Sequence, residues 1–127
     1  MIYFVLTNVV LYKNVMSIIE PLGNLLRRLR EEKCLKIREV AAPLDMDSSL
    51  YGRYERGERH IPNDHLQKIA QYFELDEDDI KKCAAADRIV DQIVELGSKN
   101  EIMELIEKKL RYRVTTSMKQ GKIFENA

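Results

Sequence analysis

In the stretch SSLYGRYERGERHIP, from Ser48 to Pro62, Arg53, Arg56 and Arg59 recur at helical spacing around Gly52. A guanidinium presents a fixed fork of donors, suited to phosphate oxygens or to the two acceptors on a guanine edge. His60 follows the last of these arginines, and Lys36 and Arg38 supply further positive charge upstream. The hydroxyls of Ser48 and Ser49 bond a base or a phosphate equally well, so they discriminate weakly. An interior glycine costs a helix about 1 kcal/mol relative to alanine, so Gly52 calls for a reason. Two reasons are open. A missing side chain lets the backbone approach a groove closely, or it relieves crowding between Tyr51, Tyr54 and the first helix.

Other chemistry finds little support. His60 and His65 do not combine with Cys83 or the acidic run at metal-ligand spacing, so no metal is expected. There is no Ser/His/Asp arrangement, no pair of buried carboxylates and no phosphate-cradling glycine loop. Ser48 and Ser49 have no neighbouring base, and helix capping claims their hydroxyls. The expectation is a protein that is not an enzyme and takes no cofactor.

The chain has 127 residues, of which 45% are hydrophobic and 33% charged. That suits one domain, or one small domain with an appendage. With 21 basic and 21 acidic residues the net charge is zero and names no partner. The distribution says more: Glu74 to Asp79 is acidic but for Leu75, whereas Lys108 to Lys122 is basic with no acid. Two cysteines, Cys34 and Cys83, form no disulfide framework, and free thiols suit a reducing cytoplasm. The opening MIYFVLTNVVLYKNV lacks a basic start and a cleavage site and is too short to cross a bilayer. It suits a short strand, a leader, or sequence upstream of a start at Met16, and the last is favoured because Met16 opens onto the first well-patterned segment.

The elements that must position the arginines are helices. Leu22, Leu25, Leu26 and Leu29, with Lys33 as a further position, step by three and four, predicting a helix that ends near Glu32. A second covers about Ile37 to Leu44, with Ile37, Val40, Ala41 and Leu44 inward and Pro43 near its end. Asp47 caps a third from Ser48 to about Arg56, and Gly57 supplies a left-handed stop. Pro62-Asn63-Asp64 opens a fourth with Leu66, Ile69, Ala70 and Phe73 inward. Asp76 caps a fifth that reaches Gly97, its acidic first turn complementing the helix dipole. Ser98 to Glu101 has the pattern of a capping box for a sixth, which fades beyond Tyr112.

Helices two and three are joined so tightly that they must cross steeply, near 90–120°. Val40, Ala41, Leu44, Met46, Tyr51 and Tyr54 then face inward, and Ser48, Ser49, Gly52, Arg53 and Arg56 face outward. From Leu35 to Gly57, LKIREVAAPLDMDSSLYGRYERG resembles the helix-turn-helix of the Cro/C1-type (XRE) family of DNA-binding regulators, down to the E-R-G ending. The resemblance covers roughly Leu22 to Ile80. It implies an all-α fold, a five-helix lambda-repressor-like DNA-binding domain with a C-terminal helical extension. It also implies base contacts from Ser48, Ser49, Gly52 and Arg53, with Arg53 the best suited to guanine. Lys36, Arg38, Arg56, Arg59 and His60 are then placed for phosphates, with Arg27 and Arg28 as lesser candidates. The chain departs from the family at Ile37, where a polar residue is common, at Asp45, where glycine is common in the turn, and at Pro43 inside helix two. Asp45 is therefore expected in the left-handed conformation.

The expected partition is an apolar leader (1–16), the DNA-binding domain (17–80), a helical extension (81–113) and a basic mobile tail (114–127). Ile89, Val90, Ile93 and Val94, then Ile102, Leu105, Ile106 and Leu110, form two apolar stripes. They suit a homodimer interface, because a two-fold dimer adds the contributions of two half-sites on an inverted repeat of duplex DNA. The segment ADRIVDQIV resembles small bacterial regulators encoded near restriction–modification or DNA methyltransferase genes. The expected function is a cytoplasmic, dimeric transcriptional regulator, a repressor or autoregulator. The alternative is an antitoxin that binds a toxin through its C-terminal helices.

Overall fold

The computed structural model describes Val15 and residues 19–119. Their regular elements are six helices: α1 Leu22–Glu32, α2 Ile37–Ala41, α3 Ser48–Glu55, α4 Asn63–Phe73, α5 Glu77–Leu96 and α6 Lys99–Lys119. Among the described residues there is no strand. The chain divides into two compact units, one ending at Arg88 and the other beginning at Ile89.

The first unit forms around apolar stripes that recur at helical spacing. Leu25 and Leu26 of α1, Val40 of α2, Tyr51 of α3, Leu66 and Ile69 of α4 and Ile80 of α5 are wholly buried together. Each such side chain contributes about 1.5–3 kcal/mol through burial. Val15, one residue before the methionine expected to begin the chain, also lies in this core. The rest of the expected leader is outside the described residues. Lys33 does not extend the stripe of α1. It is exposed at the helix end, its ammonium 5.2 Å from the centre of the Tyr72 ring.

The helix starts follow local chemistry. Asp47 Oδ1 accepts from Ser49 N–H at 3.3 Å, and Asp76 Oδ1 accepts from Asp79 N–H at 3.0 Å, as N-caps do. α1 has no side-chain cap from its own N-cap residue, Pro21. Instead Leu22 N–H donates to Asp87 Oδ2 on α5 at 2.8 Å, so a distant carboxylate satisfies an orphan donor. The same carboxylate stands near Cys83. Burial first, and then the charge of Asp87, push that thiol up to about 11, so it stays protonated.

Four helical segments close in one way. After α1, after the turn that follows α2, after α3 and after α4, one residue adopts positive φ and paired backbone bonds reach back into the last turn. The residues are Cys34 (φ 56), Asp45 (φ 55), Gly57 (φ 71) and Glu74 (φ 57). The next residues, Leu35, Met46, Glu58 and Leu75, donate to the carbonyls of Arg30, Ala41, Arg53 and Ala70. This is the Schellman arrangement. Asp45 thus takes the left-handed conformation that its place in the turn demands. α2 is shorter than its apolar pattern predicts, ending at Ala41 and not Leu44. Residues 42–45 continue as turns, with Pro43 unable to supply an N–H to the ladder. Leu44 is still buried. Glycine tolerates positive φ, whereas other L-residues incur about 1–2 kcal/mol there, partly offset by glycine's greater freedom when unfolded. Glu74→Gly is therefore expected to stabilise the unit by about 0.5–1 kcal/mol, read as a rise of a few degrees in thermal midpoint.

In the second unit, α5 continues from Ile89 to Leu96, Gly97 takes φ 87, and α6 follows. α6 runs through Lys119, several residues past the point where its apolar pattern fades. Expected tail residues 120–127 lie outside the described residues. The apolar side chains here are largely bare: Ile89, Val90, Val94, Leu96, Met103, Leu105, Leu110, Tyr112 and Val114 are each about half exposed or more. Ile93, Ile102 and Ile106 are half-buried.

Candidate nucleic-acid interface

α3 is held from behind on three sides. Against α1 the approach is so close that a Cβ on Gly23 would stand 2.4 Å from the Glu55 carbonyl oxygen and 2.5 Å from that of Tyr54. Glycine is required there by contact and not by φ. Below, Arg30 Nε donates to Glu55 Oε2 at 2.9 Å and to Oε1 at 3.1 Å, while its Nη1 donates to the Leu35 carbonyl at 2.8 Å. One guanidinium thereby joins the end of α3 to the loop between α1 and α2. The Glu55 side chain is only 3% exposed, and its hydrogen bonds raise the Arg30 pKa further above an already high value. Towards α4, the Tyr54 hydroxyl and His65 Nδ1 lie 2.7 Å apart, the rings meeting edge to face.

Tyr51 fills the centre, wholly buried. Its hydroxyl has no partner in hydrogen-bond geometry. Burial, and then the nearby Glu55 carboxylate, push its ionisation far above the ordinary tyrosine range, so the ring stays neutral.

With its inner side so fixed, α3 can present only its other side to solvent. Ser48, Ser49, Arg53 and Arg56 are exposed, as are Lys36, Arg38, Arg59 and His60 around them. Gly52 does not belong to this exposed set. It is buried, and a Cβ there would stand 3.0 Å from Arg56 Nη1 and 3.7 Å from Ile37 Cδ1. The outward placement expected for it is thus corrected: the side chains of Ile37 and Arg56 cover it. Crowding with the first helix is likewise not its reason, because that contact belongs to Gly23. Arg56 lies across Gly52 and bonds Glu58 through Nε at 2.9 Å and Nη2 at 3.2 Å. This pairing holds the Glu58 carboxyl below its usual range.

Two short helices joined by a tight turn, the second braced behind and polar in front, span part of a longer match. Residues 21–82 match the family described as a helix-turn-helix domain. The chain carries a helix-turn-helix domain. No curated protein and no solved structure matches the chain.

Domains of this type point to DNA binding. The E-R-G ending of the motif divides into three jobs: Glu55 is a buried brace, Arg56 an exposed cation over Gly52, and Gly57 the left-handed stop. Arg27 and Arg28, the lesser phosphate candidates, are engaged with Glu31 and Glu20. Among the described residues, no helix is long and apolar enough to cross a membrane, and no group of His, Cys, Asp and Glu could hold a metal ion.

Sequence reasoning passed over Gly23, Arg30, Glu55 and Asp87. Glu55 carried a visible signal, since it follows Tyr51 by four and Tyr54 by one and so shares their inward phase. Gly23 carried a weaker one as a second interior helix glycine. Nothing local marks Arg30 or Asp87.

Proposed function

We propose that this chain is a sequence-specific, double-stranded DNA-binding transcriptional regulator of the Cro/C1 (XRE) type. It acts as a homodimeric repressor or autoregulator in the bacterial cytoplasm, with no catalytic role and no cofactor. The supporting observation is the exposed Ser48, Ser49 and Arg53 face of α3 on a helix whose other face is fully occupied.

On this reading α3 enters the major groove. Arg53 donates two hydrogen bonds to a guanine edge, and Ser48 and Ser49 bond bases or nearby phosphates. Lys36, Arg38, Arg56, Arg59 and His60 grip the backbone on either side, which fixes register without reading sequence. Gly52 serves indirectly: its missing side chain leaves the space in which the Arg56 guanidinium lies. Ile89, Val90, Ile93, Val94, Ile102, Leu105, Ile106 and Leu110 supply the dimer contact, which doubles the site into an inverted repeat. The likeness of ADRIVDQIV to regulators beside restriction–modification or methyltransferase genes supports autoregulation of such a locus.

The test is a gel shift on the DNA upstream of the chain's own gene, with a salt series. Affinity is expected to fall steeply with salt, and Arg53→Ala to cost about 1–3 kcal/mol at one base position. Unchanged base preference in that variant would remove Arg53 from the reading.

The bare apolar faces of the second unit support one other reading, an antitoxin that holds a toxin there. Light scattering separates the two, since an isolated monomer favours the foreign partner and a dimer favours self-association.

A further inference from the structure

We propose that Gly52 and Glu58 are positioning residues that together aim the Arg56 guanidinium, leaving one of its edges turned out to receive a DNA phosphate. The proposal deepens the reading above and rests on its DNA-binding part, naming how one backbone contact is prepared before DNA arrives.

Glu58 is the unexpected member. A carboxylate beside a surface that meets DNA repels phosphate, so its presence there calls for a reason. Its backbone is fixed by the stop of α3: Gly57 takes φ 71, and Glu58 N–H donates to the Arg53 carbonyl at 3.0 Å. From there its two oxygens accept from Arg56 Nε at 2.9 Å and Nη2 at 3.2 Å, a bidentate side-on grip. Both side chains are just over half exposed, and an exposed pair contributes little to folding. What the pair does is choose an orientation. A guanidinium carries five N–H donors, and the side-on grip uses that of Nε and one of Nη2. The parallel pair on the other edge, one N–H of Nη1 and one of Nη2, is left over, and that is the geometry that grips a phosphate in bidentate fashion. Gly52 decides where this edge lies. Arg56 Nη1 stands 3.0 Å from the place of a Cβ on Gly52, and Ile37 Cδ1 stands 3.7 Å from the same point. The guanidinium therefore rests on bare helix beside the Ile37 side chain, where a methyl group would lift it away. Holding a long, flexible side chain in its binding pose beforehand removes an ordering cost that association otherwise incurs.

The test uses the full chain and a short mixed-sequence duplex, because phosphate contacts do not read sequence. Arg56→Ala is expected to weaken binding about tenfold in the parent, and only about twofold once Glu58 is also alanine. If Glu58 only competed with phosphate for Arg56, removing it would make Arg56 matter more. A loss on Arg56→Ala that is equal or larger in the Glu58→Ala background therefore overturns the proposal. A salt series gives the second arm. Gly52→Ala is expected to leave the thermal midpoint at or above that of the parent, yet to flatten the slope of log affinity against log salt by about 0.9, the share of one phosphate contact. An unchanged slope overturns the role of Gly52. The third arm needs no DNA. By NMR, the Arg56 Nε–H of the free chain is expected to exchange slowly with water in the parent and several-fold faster in Glu58→Ala, and equal exchange overturns the grip itself. Failure of the DNA reading looks different: a parent chain with no salt-dependent binding sinks both, whereas a parent that binds, with no coupling between Arg56 and Glu58, sinks this proposal alone.

Discussion

Arg30→Met is expected to destabilise the folded domain by about 3–5 kcal/mol, the usual consequence of leaving a buried carboxylate without its cation. Glu55 is 3% exposed and takes two hydrogen bonds from Arg30 Nε. Methionine fills similar space but supplies no donor to Glu55 or to the Leu35 carbonyl. Urea denaturation should show the loss as a lowered midpoint with little change in slope. The double variant Arg30→Met with Glu55→Leu is expected to recover roughly 2 kcal/mol or more, because an apolar pair often replaces a buried ion pair at little net cost. Recovery should stop short of the parent, since the Leu35 carbonyl still lacks its donor. A single variant as stable as the parent would show that Arg30 does not brace α3.

Gly23→Ala is expected to cost about 3 kcal/mol, at the upper end for overpacking. The added methyl would stand 2.4 Å and 2.5 Å from two backbone oxygens of α3, and backbone cannot rotate away as a side chain does. α1 and α3 must separate. Because Arg30 spans the same crossing, the shift also strains its bonds to Glu55, so the two variants should be non-additive. Elsewhere in a helix the same substitution stabilises by about 1 kcal/mol, so the sign of the change decides the matter. Gly52→Ala makes the useful comparison. Its added methyl meets the mobile end of Arg56 at 3.0 Å, which can move aside. Thermal unfolding of the two variants side by side checks the contrast.

The parts of this fold that could be read in advance are those governed by neighbours along the chain. Asp47, Asp76 and Gly57 mark helix ends within one turn of themselves, and the leucines of α1 declare their buried side through spacing alone. Ser48, Ser49, Arg53 and Arg56 could be placed outward because Tyr51 and Tyr54 had to go inward. What escaped depends on partners far apart in sequence. Arg30 and Glu55 are 25 positions apart, and Asp87 caps a helix that begins 65 positions earlier. Gly52 was misplaced because its environment is set by two side chains, those of Ile37 and Arg56, whose directions periodicity does not give. The length of α6 was underestimated because Val114, Thr115, Thr116 and Ser117 are poor helix formers, yet hydrogen bonding such as that of the Thr116 hydroxyl to the Tyr112 carbonyl is compatible with continued helix.

Of the four left-handed stops in the first unit, only one is glycine. The domain therefore carries unused thermal headroom, written into its connections and not its core. Cys34 and Glu74 both lie outside α3 and the turn that precedes it, so an engineer could harden the scaffold at these two joints while leaving every exposed side chain of α3 as it is.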